Sequence, residues 1–139
     1  MITAIDTNVI VGLWDSDDVW NRQAAEALRA TAKRGRLVVS APVYSELLAQ
    51  PKRAESLIDE FLESSGIDVE WVLDEKIWRM AGQAYQEYAA RRKREKDGPR
   101  RILADFLIGA HAARQGYSLL TFDDRIYRAA FPGLSVISL

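Results

Sequence analysis

The sequence contains no cysteine and only one histidine, His111. Without thiols there is neither a disulfide framework nor a thiolate zinc site, and a single imidazole excludes a histidine-rich metal site. His111 itself is expected to be packed or exposed on its helix, with no catalytic role. Any chemistry that this chain performs must therefore use other side chains.

Long apolar runs are also missing, since none reaches the ~18 residues that a membrane span requires. The first residues carry no cluster of positive charge and already include Asp6, which is not the pattern of a signal peptide. We therefore expect a cytoplasmic protein with no membrane partner. The net charge of −1 provides no overall attraction to nucleic acid, so any such attraction must be local.

The chain of 139 residues is expected to form one domain spanning residues 1–139, because no repeat or linker divides it. Short apolar runs alternate with longer amphipathic stretches, which predicts an α/β fold: a mostly parallel sheet with helices on both faces. Gly35 and Gly116 are predicted to end helices. The predicted strands are 2–5, 36–40, 67–72, 117–121 and 134–137, and the predicted helices are 19–33, one opened by Pro42, 54–62, one capped by Asp74, 102–115 and 123–130.

Four acids fall near the ends of predicted elements. Asp6 follows the first strand and Asp123 lies just beyond the fourth; ligands of open parallel sheets collect at such carboxyl ends, where the strand order reverses. Glu46 lies in the first turns of the helix after the second strand, near the same edge. Asp105 lies near the start of the helix before the fourth strand, and the pattern does not decide whether that start reaches this edge.

Four carboxylates at one edge would repel one another unless a cation or bound protons offset their charge. An all-oxygen site favours hard cations such as Mg²⁺ or Mn²⁺. These ions activate water and neutralise a leaving oxygen in phosphoryl chemistry, often as a pair about 4 Å apart. The acids therefore predict metal-dependent phosphodiester hydrolysis, which needs neither cysteine nor histidine.

Each acid also has a purely structural interpretation, because acids are common at helix starts. Asp6 can cap the next helix, Glu46 gains from a helix dipole, and Asp105 lies near a helix start. Asp123 and Asp124 form a pair of which one is expected to act only as a cap. It is the joint pattern of the four acids that points to a site.

The residues around these acids form four short motifs that span almost the whole chain. They are Ile5-Asp6-Thr7-Asn8, Ser45-Glu46-Leu47, Ala104-Asp105-Phe106-Leu107-Ile108 and Leu120-Thr121-Phe122-Asp123, the last followed by Phe131-Pro132-Gly133-Leu134. In order and separation they resemble the PIN-domain family, specifically the VapC-type ribonuclease toxins of toxin–antitoxin pairs. The resemblance implies a Rossmann-like three-layer sandwich whose parallel five-stranded sheet has the order 3-2-1-4-5.

The same resemblance implies a Mg²⁺- or Mn²⁺-dependent endoribonuclease, the toxin of a type II VapBC-like system. It makes Asp6 and Asp105 the principal metal ligands, completed by Glu46 and Asp123. It also implies a homodimer and a small cognate antitoxin whose tail enters the active-site groove. Asn8 and Thr121 match polar positions that surround the acids in this family. Asp124 matches no fixed position and is at most a supporting residue.

Residues 91–101 carry seven positive and two negative side chains, so the remainder of the chain is acidic. A cationic segment directly before Asp105 is expected to contact the RNA backbone, although charge runs are usually solvated helix ends. The candidate RNA-binding residues are Arg94, Lys96, Arg100 and Arg101, the last two being nearest to Asp105. Trp14, in the segment after Asn8, is a candidate contact for substrate or for the dimer partner.

Two other functions fit parts of the pattern. A haloacid-dehalogenase-like phosphatase also places an acid after its first strand, but it requires a second Asp where this chain has Asn8, and a suitably placed lysine. Alternatively, the domain binds RNA or protein without catalysis, and its acids are only helix caps. Replacing Asp6 by Asn distinguishes an enzyme from a binding module.

Overall fold

The structure, a computed structural model, describes residues 1–95 and 100–139 of the chain. Its strands and helices alternate in the predicted manner. In chain order they are β1 (Ile2–Ile5), α1 (Thr7–Trp14), α2 (Asn21–Ala32), β2 (Arg36–Ser40), α3 (Ala41–Leu48), α4 (Glu55–Ser64), β3 (Ile67–Glu70), α5 (Glu75–Glu95), α6 (Leu103–Gln115), β4 (Ser118–Thr121), α7 (Asp124–Ala130) and β5 (Ser135–Ser138).

The five strands form one parallel sheet in the order β3-β2-β1-β4-β5, which confirms the expected topology. In β1 and β4 successive residues are buried, for example Ala4 and Ile5, and Leu119 and Leu120. Because successive side chains of a strand point to opposite faces, both faces of the sheet are covered. The chain is therefore an α/β sandwich with β1 at its centre.

The middle strands determine where the first acid lies. Ile5 is in register with Leu120, and the backbone N–H of Asp6 donates to the carbonyl of Leu120 over 3.0 Å, so Asp6 extends the ladder by one residue. Its side chain therefore emerges at the carboxyl edge of the sheet, between β2 and β4. The strand order reverses at this point, because β1 is followed along the chain by β2 on one side and is paired with β4 on the other.

Helix α6 runs from the carboxyl edge of the sheet to the amino edge. It ends at Gly116, whose φ of 72° is the left-handed conformation of a helix stop, and β4 starts two residues later at the amino edge. Its first turn, which carries Asp105, therefore lies at the same edge as Asp6. The strand and helix order resolves what the sequence pattern alone did not.

Most differences from the predicted elements are shifts of an end by one or two residues, as in β3, which ends at Glu70 instead of residue 72. Gly35 does not cap α2, because Lys33 ends that helix in a right-handed conformation. A Cβ at Gly35 would lie 1.8 Å from the carbonyl oxygen of Met1, so close approach of the chain explains this glycine.

No helix within residues 1–95 and 100–139 is both long enough and apolar enough to cross a membrane.

Candidate active site

Asp6 is the most buried acid of the carboxyl edge, with 6% of its surface exposed. Its Oδ1 accepts the N–H of Thr7 over 2.8 Å, as the N-cap of α1, and its Oδ2 accepts the hydroxyl of Thr121 over 2.7 Å. The hydroxyl of Tyr127 is a third donor. Asp6 is thus both a cap and a carboxylate held rigidly at the sheet edge, so the structural and functional interpretations do not exclude each other.

Burial raises the pKa of Asp6 to about 6, although the hydrogen bonds from Thr121, Tyr127 and Thr7 lower it. The negative charge of Asp105 contributes to the rise. An ionised Asp6 is therefore costly at this position unless positive charge lies close to it.

Glu46 reaches the site from α3 and is half-buried. The hydroxyl of Thr7 donates to its Oε1 over 2.6 Å, which joins the first turn of α1 to α3. Burial raises the pKa of Glu46, the bond from Thr7 lowers it, and the charge of Asp105 raises it. Thr7 therefore positions two acids: Asp6 through its N–H and Glu46 through its hydroxyl.

Asp105 influences both of these acids from the first turn of α6, since its charge raises the pKa of Asp6 and of Glu46. One of its oxygens, Oδ2, accepts the N–H of Ile102 over 3.2 Å and so caps the helix. Tyr127 lies among the three acids: its pKa is raised by burial, then by the charges of Asp6 and Asp105, and also by Glu46. The structure brings Asp6, Glu46 and Asp105 together.

Asp123 lies at the same edge but is engaged differently. Its Oδ2 accepts a hydrogen bond from the guanidinium of Arg101 in a partly buried ion pair, and its N–H donates to Thr121 Oγ1 over 2.9 Å. Burial lowers the pKa of Arg101, but the hydrogen bond and charge of Asp123, and then the charge of Asp105, raise it above its ordinary value. Arg101 thus lies beside two of the four predicted acids.

The predicted supporting residues have different roles in the structure. The amide nitrogen of Asn8 lies 3.4 Å from Thr121 Oγ1, and its oxygen accepts the N–H of Phe122 over 3.3 Å. Both Asn8 and Thr121 therefore brace the loop between β4 and Asp123. Asp124 instead pairs with Arg128 one turn along α7, with Arg128 Nε 3.0 Å from its Oδ2.

The basic segment is only partly assembled next to the acids. Arg100 and Arg101 line a cavity of about 550 Å³ together with Tyr85, Tyr88, Arg92 and Lys93 of α5. Arg94 is exposed on α5 and does not line this cavity, and Lys96 lies outside the described residues. Arg92 and Lys93 were not singled out from the sequence. Arg92 follows Tyr88 by four residues and Lys93 follows Tyr85 by eight, and this helical spacing is the signal that could have indicated them.

Tyr127 is the other residue that sequence reasoning missed. It reaches the acids because α7 packs tightly on α6 at Gly109, where a Cβ would lie 2.2 Å from the ring of Phe131 and 3.0 Å from that of Tyr127. A tyrosine in a short helix after Asp123 gives no signal of this role in the sequence, since only the packing of α6 against α7 aims its hydroxyl at Asp6.

The donor chemistry of this edge fits a hard divalent cation. The side chains of Asp6, Glu46 and Asp105 offer oxygen atoms as ligands, and burial, with the charge of Asp105 as a further contribution, raises the pKa of Asp6 and of Glu46. As the side chains stand, no group of three or more carboxylate or imidazole side chains within 1–95 and 100–139 is arranged to hold an ion. Binding would require Asp105 and Glu46 to turn towards Asp6 from their hydrogen bonds to Ile102 and Thr7.

Comparisons with known proteins agree with this architecture. The PIN domain family profile matches residues 3–132. Similar solved structures include VapBC2 from Rickettsia felis bound to a DNA fragment from their promoter (23% identity, TM-score 0.72, 99% of this chain and 98% of that chain). VapBC-1 from nontypeable Haemophilus influenzae is similar over 99% and 98% of the two chains, with 20% identity and a TM-score of 0.68.

A third similar structure is VapC20 from Mycobacterium tuberculosis, described as a sarcin-ricin loop cleaving toxin, with 18% identity, a TM-score of 0.61, and coverage of 96% of this chain and 98% of that chain. A search among curated protein sequences gives no match. At these identities the structural likeness establishes the fold, and the family match rests on residues 3–132.

Proposed function

The chain belongs to the PIN domain family, and on that premise we propose that it is a metal-dependent endoribonuclease, the toxin of a VapBC-like toxin–antitoxin pair. The observation that carries this proposal is the electrostatic coupling of three carboxylates from three elements at one sheet edge. The charge of Asp105 contributes to the raised pKa of both Asp6 and Glu46, so the three acids lie within reach of one another's charge. Similarity to a structure described as a sarcin-ricin loop cleaving toxin adds support.

Asp6, Glu46 and Asp105 would hold Mg²⁺ or Mn²⁺. Asp123 would be the fourth ligand, either while it is still paired with Arg101 or after that ion pair has opened. When bound, such an ion activates water and offsets the charge that develops on the leaving oxygen of a phosphodiester. The protein contributes position: Thr7, Thr121 and Tyr127 hold Asp6 in one orientation through three donors. Arg101 supplies a guanidinium at the same edge that can bind a phosphate oxygen.

The test compares RNA cleavage by the wild-type protein with cleavage by Asp6→Asn. We expect single-stranded RNA to be cut in Mg²⁺ or Mn²⁺, EDTA to abolish cleavage, and Asp6→Asn to lower the rate by about 100-fold or more, because a metal ligand is lost. Asp17→Asn, an exposed acid on the loop after α1, is the matched control and keeps the wild-type rate. Mapping of the RNA ends identifies the cut.

The competing function is an RNA- or protein-binding domain without catalysis, in which Asp6 and Asp105 only cap α1 and α6. Equal cleavage by wild type and Asp6→Asn, with both folded by circular dichroism, would contradict the nuclease. The phosphatase alternative has less support, because Asn8 braces the β4 loop through Thr121 and Phe122. Release of phosphate from small phosphomonoesters, in place of RNA cleavage, would favour that alternative.

We also propose a small cognate antitoxin and a homodimer. Support for the antitoxin comes from likeness to structures described as VapBC and as a toxin–antitoxin complex. Exposed Trp71, Val72 and Trp78 around the β3–α5 connection support self-association, since large exposed apolar side chains are typical of interfaces. Co-purification with the product of a short neighbouring reading frame, with loss of RNA cleavage, tests the antitoxin; sedimentation of the isolated chain tests the dimer.

A further inference from the structure

A second groove opens next to the acids, on the side away from Arg101. It has a volume of about 640 Å³, and its walls include Val11 and Trp14 of α1 and Gln50, Lys52 and Arg53 after α3. The groove adjoins the site directly. Thr7 contacts Glu46 over 2.6 Å, and the groove residues Val11 and Gln50 follow Thr7 and Glu46, respectively, by four residues. On α1 the four residues from Thr7 to Val11 are about one helical turn, or roughly 6 Å, so the groove begins about one turn beyond the contact of Thr7 with Glu46.

One of the two cations of this groove, Arg53, is held in place by contacts with Trp14. The guanidinium of Arg53 lies 4.7 Å from the centre of the Trp14 ring and donates to the Trp14 carbonyl over 3.3 Å. Lys52 is exposed and adopts a φ of 63°, a conformation that side chains other than glycine rarely take. The groove also contains one acid, Asp15, whose negative charge partly offsets the positive charges of Lys52 and Arg53.

The cavity beside Arg101 provides a second cationic surface. Arg92, Lys93 and Arg100 line it together with Arg101, and Tyr85 and Tyr88 form its aromatic wall. Arg101 links this cavity to the site, because the same guanidinium binds Asp123. Both cavities therefore adjoin the acids, and both combine cations with aromatic rings.

The sheet order places the two cavities on opposite sides of the acids. Along the carboxyl edge β2 is followed by α3 with Glu46, β1 by Asp6, and β4 by Asp123, and the strand order is β2-β1-β4. The Trp14 groove continues from Glu46, and the Arg101 cavity continues from Asp123. The acids thus lie between two cationic surfaces.

We propose that a single strand of RNA crosses the site from one cationic surface to the other, its backbone bound by Lys52 and Arg53 on one side and by Arg92, Lys93 and Arg100 on the other. This inference rests on the proposed function. A polyanion cannot approach the acids alone, but cations on both sides offset that repulsion and release counterions. Aromatic rings beside the cations suit unstacked bases, which favours a single strand over a duplex.

The test uses three double variants that each remove two positive charges. Lys52→Gln/Arg53→Gln changes the Trp14 side, and Arg92→Gln/Lys93→Gln changes the Arg101 side. Lys33→Gln/Arg34→Gln is the matched control: these exposed residues at the end of α2 precede β2 and lie at the amino edge of the sheet. All three are made in the Asp6→Asn background so that the probe is not cut.

Binding of a fluorescein-labelled single-stranded oligoribonucleotide is followed by anisotropy between 0.05 and 0.3 M salt, concentrations of roughly the range over which counterion release is resolved. Each side variant is expected to weaken binding about 10-fold at 0.1 M salt and to reduce the salt slope by about 1.4, since two phosphate contacts are lost and each contributes ~0.7 on a single strand. The control variant is expected to change binding less than about 2-fold.

Three outcomes overturn the inference. Side variants that bind RNA as the control does would show that the cavities do not hold the backbone. A change in only one of them would remove the crossing path. Equal affinity for a labelled oligoglutamate of the same charge would assign the surfaces to an acidic peptide instead of RNA.

Two further measurements separate folding and function from this inference. Arg53→Lys keeps the charge but removes the guanidinium that lies over the Trp14 ring, so retained RNA binding by this variant shows that the loss in Lys52→Gln/Arg53→Gln is electrostatic. Wild-type protein that binds the oligoribonucleotide but does not cut it in Mg²⁺ or Mn²⁺ contradicts the proposed function. The two side variants are also made with Asp6 intact, and RNA cleavage that is normal in both of these contradicts only the path.

Discussion

Helix α6 carries two polar clusters whose charges are arranged in opposite ways. At its first turn, Asp105 lies close enough to Asp6 and Glu46 to raise the pKa of both, so like charges meet. Six residues later, His111 is fully buried with its Nε2 2.8 Å from Glu70 Oε1.

In this second cluster the carboxylate has complementary partners. Tyr117 donates to the other oxygen, Oε2, of Glu70 over 2.7 Å, and because a carboxylate only accepts, the Nε2 of His111 is the donor on the first side. Within this cluster, His111 Nδ1 is the buried side-chain atom that finds no hydrogen-bond partner among the described residues. The network joins β3, α6 and the start of β4.

The difference distinguishes a cluster that stabilises the fold from one that lowers its stability. Paired polar groups inside a protein hold its elements in one arrangement, whereas acids gathered without a cation cost folding free energy and are retained for a ligand. The clusters should therefore respond in opposite directions when a charge is removed, and four substitutions test this contrast.

The largest effect is expected for Glu70→Ala, which leaves His111 and Tyr117 without their shared acceptor. Removing one partner of a mostly buried charged network costs about 4 kcal/mol of unfolding free energy. Urea denaturation measures the loss, and Glu63→Ala, an exposed acid on α4, should stay within about 0.5 kcal/mol of the wild type. A loss in Glu70→Ala below about 1 kcal/mol would mean that the network contributes little.

Asp6→Asn should have the opposite sign. Because the pKa of Asp6 is raised from the ordinary 3.8 to about 6, the folded chain binds a proton that the unfolded chain has already released. Ionised Asp6 therefore destabilises the fold above about pH 6, and this cost disappears as the pH falls below about 3.8. The rise in pKa corresponds to about 3 kcal/mol, the gain expected for Asp6→Asn at high pH.

This gain is measured by urea denaturation in EDTA at alkaline and acidic pH. The difference in unfolding free energy between Asp6→Asn and wild type should be full above pH 6 and vanish near pH 3.8. Between these two values Asp6 binds a proton in the folded chain that it has released in the unfolded chain. Asp17→Asn, at an exposed position, is the control. An Asp6→Asn protein that is less stable than wild type above pH 6 would show that the donors around Asp6 outweigh its burial.

Gly109→Ala tests the packing that lies between the two clusters on α6. The added methyl group would lie 2.2 Å from the ring of Phe131 and 3.0 Å from that of Tyr127, so α7 must move. We expect a loss of about 2 kcal/mol from overpacking, and slower RNA cleavage because Tyr127 no longer holds Asp6 in position. Gly82→Ala, where a Cβ meets nothing within 4 Å, is the control on α5. Wild-type stability of Gly109→Ala would contradict this close approach.

Tyr117→Phe should have the smallest effect. It removes one hydrogen bond to Glu70 while the ring keeps its edge contact with His111, with 5.6 Å between ring centres. A loss of about 1 kcal/mol is expected, with RNA cleavage unchanged. A marked loss of cleavage at wild-type stability would connect the network to the site and remove the distinction between the two clusters.

Much of the fold could be predicted from the sequence, because the elements follow from local patterns. All five strands were predicted within two residues at either end, and Gly116 was correctly predicted to end α6. Gly35 was misread, since its reason is the nearby Met1 carbonyl, a contact that local patterns do not contain. The strand order came from the family resemblance, because periodicity alone does not specify which strands pair.

The site was predicted unevenly for the same reason. The position of Asp6 after a strand placed it at the sheet edge, which the register with Leu120 shows. By contrast, the Arg101–Asp123 pair, the hydroxyl of Tyr127 and the cavity lined by Arg92 depend on how α5, α6 and α7 pack. The role of the acids as metal ligands stays a prediction.

The sequence by itself determined which segments are strands and helices, and that acids follow the central strands, because periodicity and chain order are local properties. Only the tertiary structure decided which charges meet: Asp105 with Asp6 and Glu46, Asp123 with Arg101, and His111 with Glu70. The interaction of two charges depends on their separation in space and on their burial, and residues far apart along the chain acquire both only when the sheet and its helices pack.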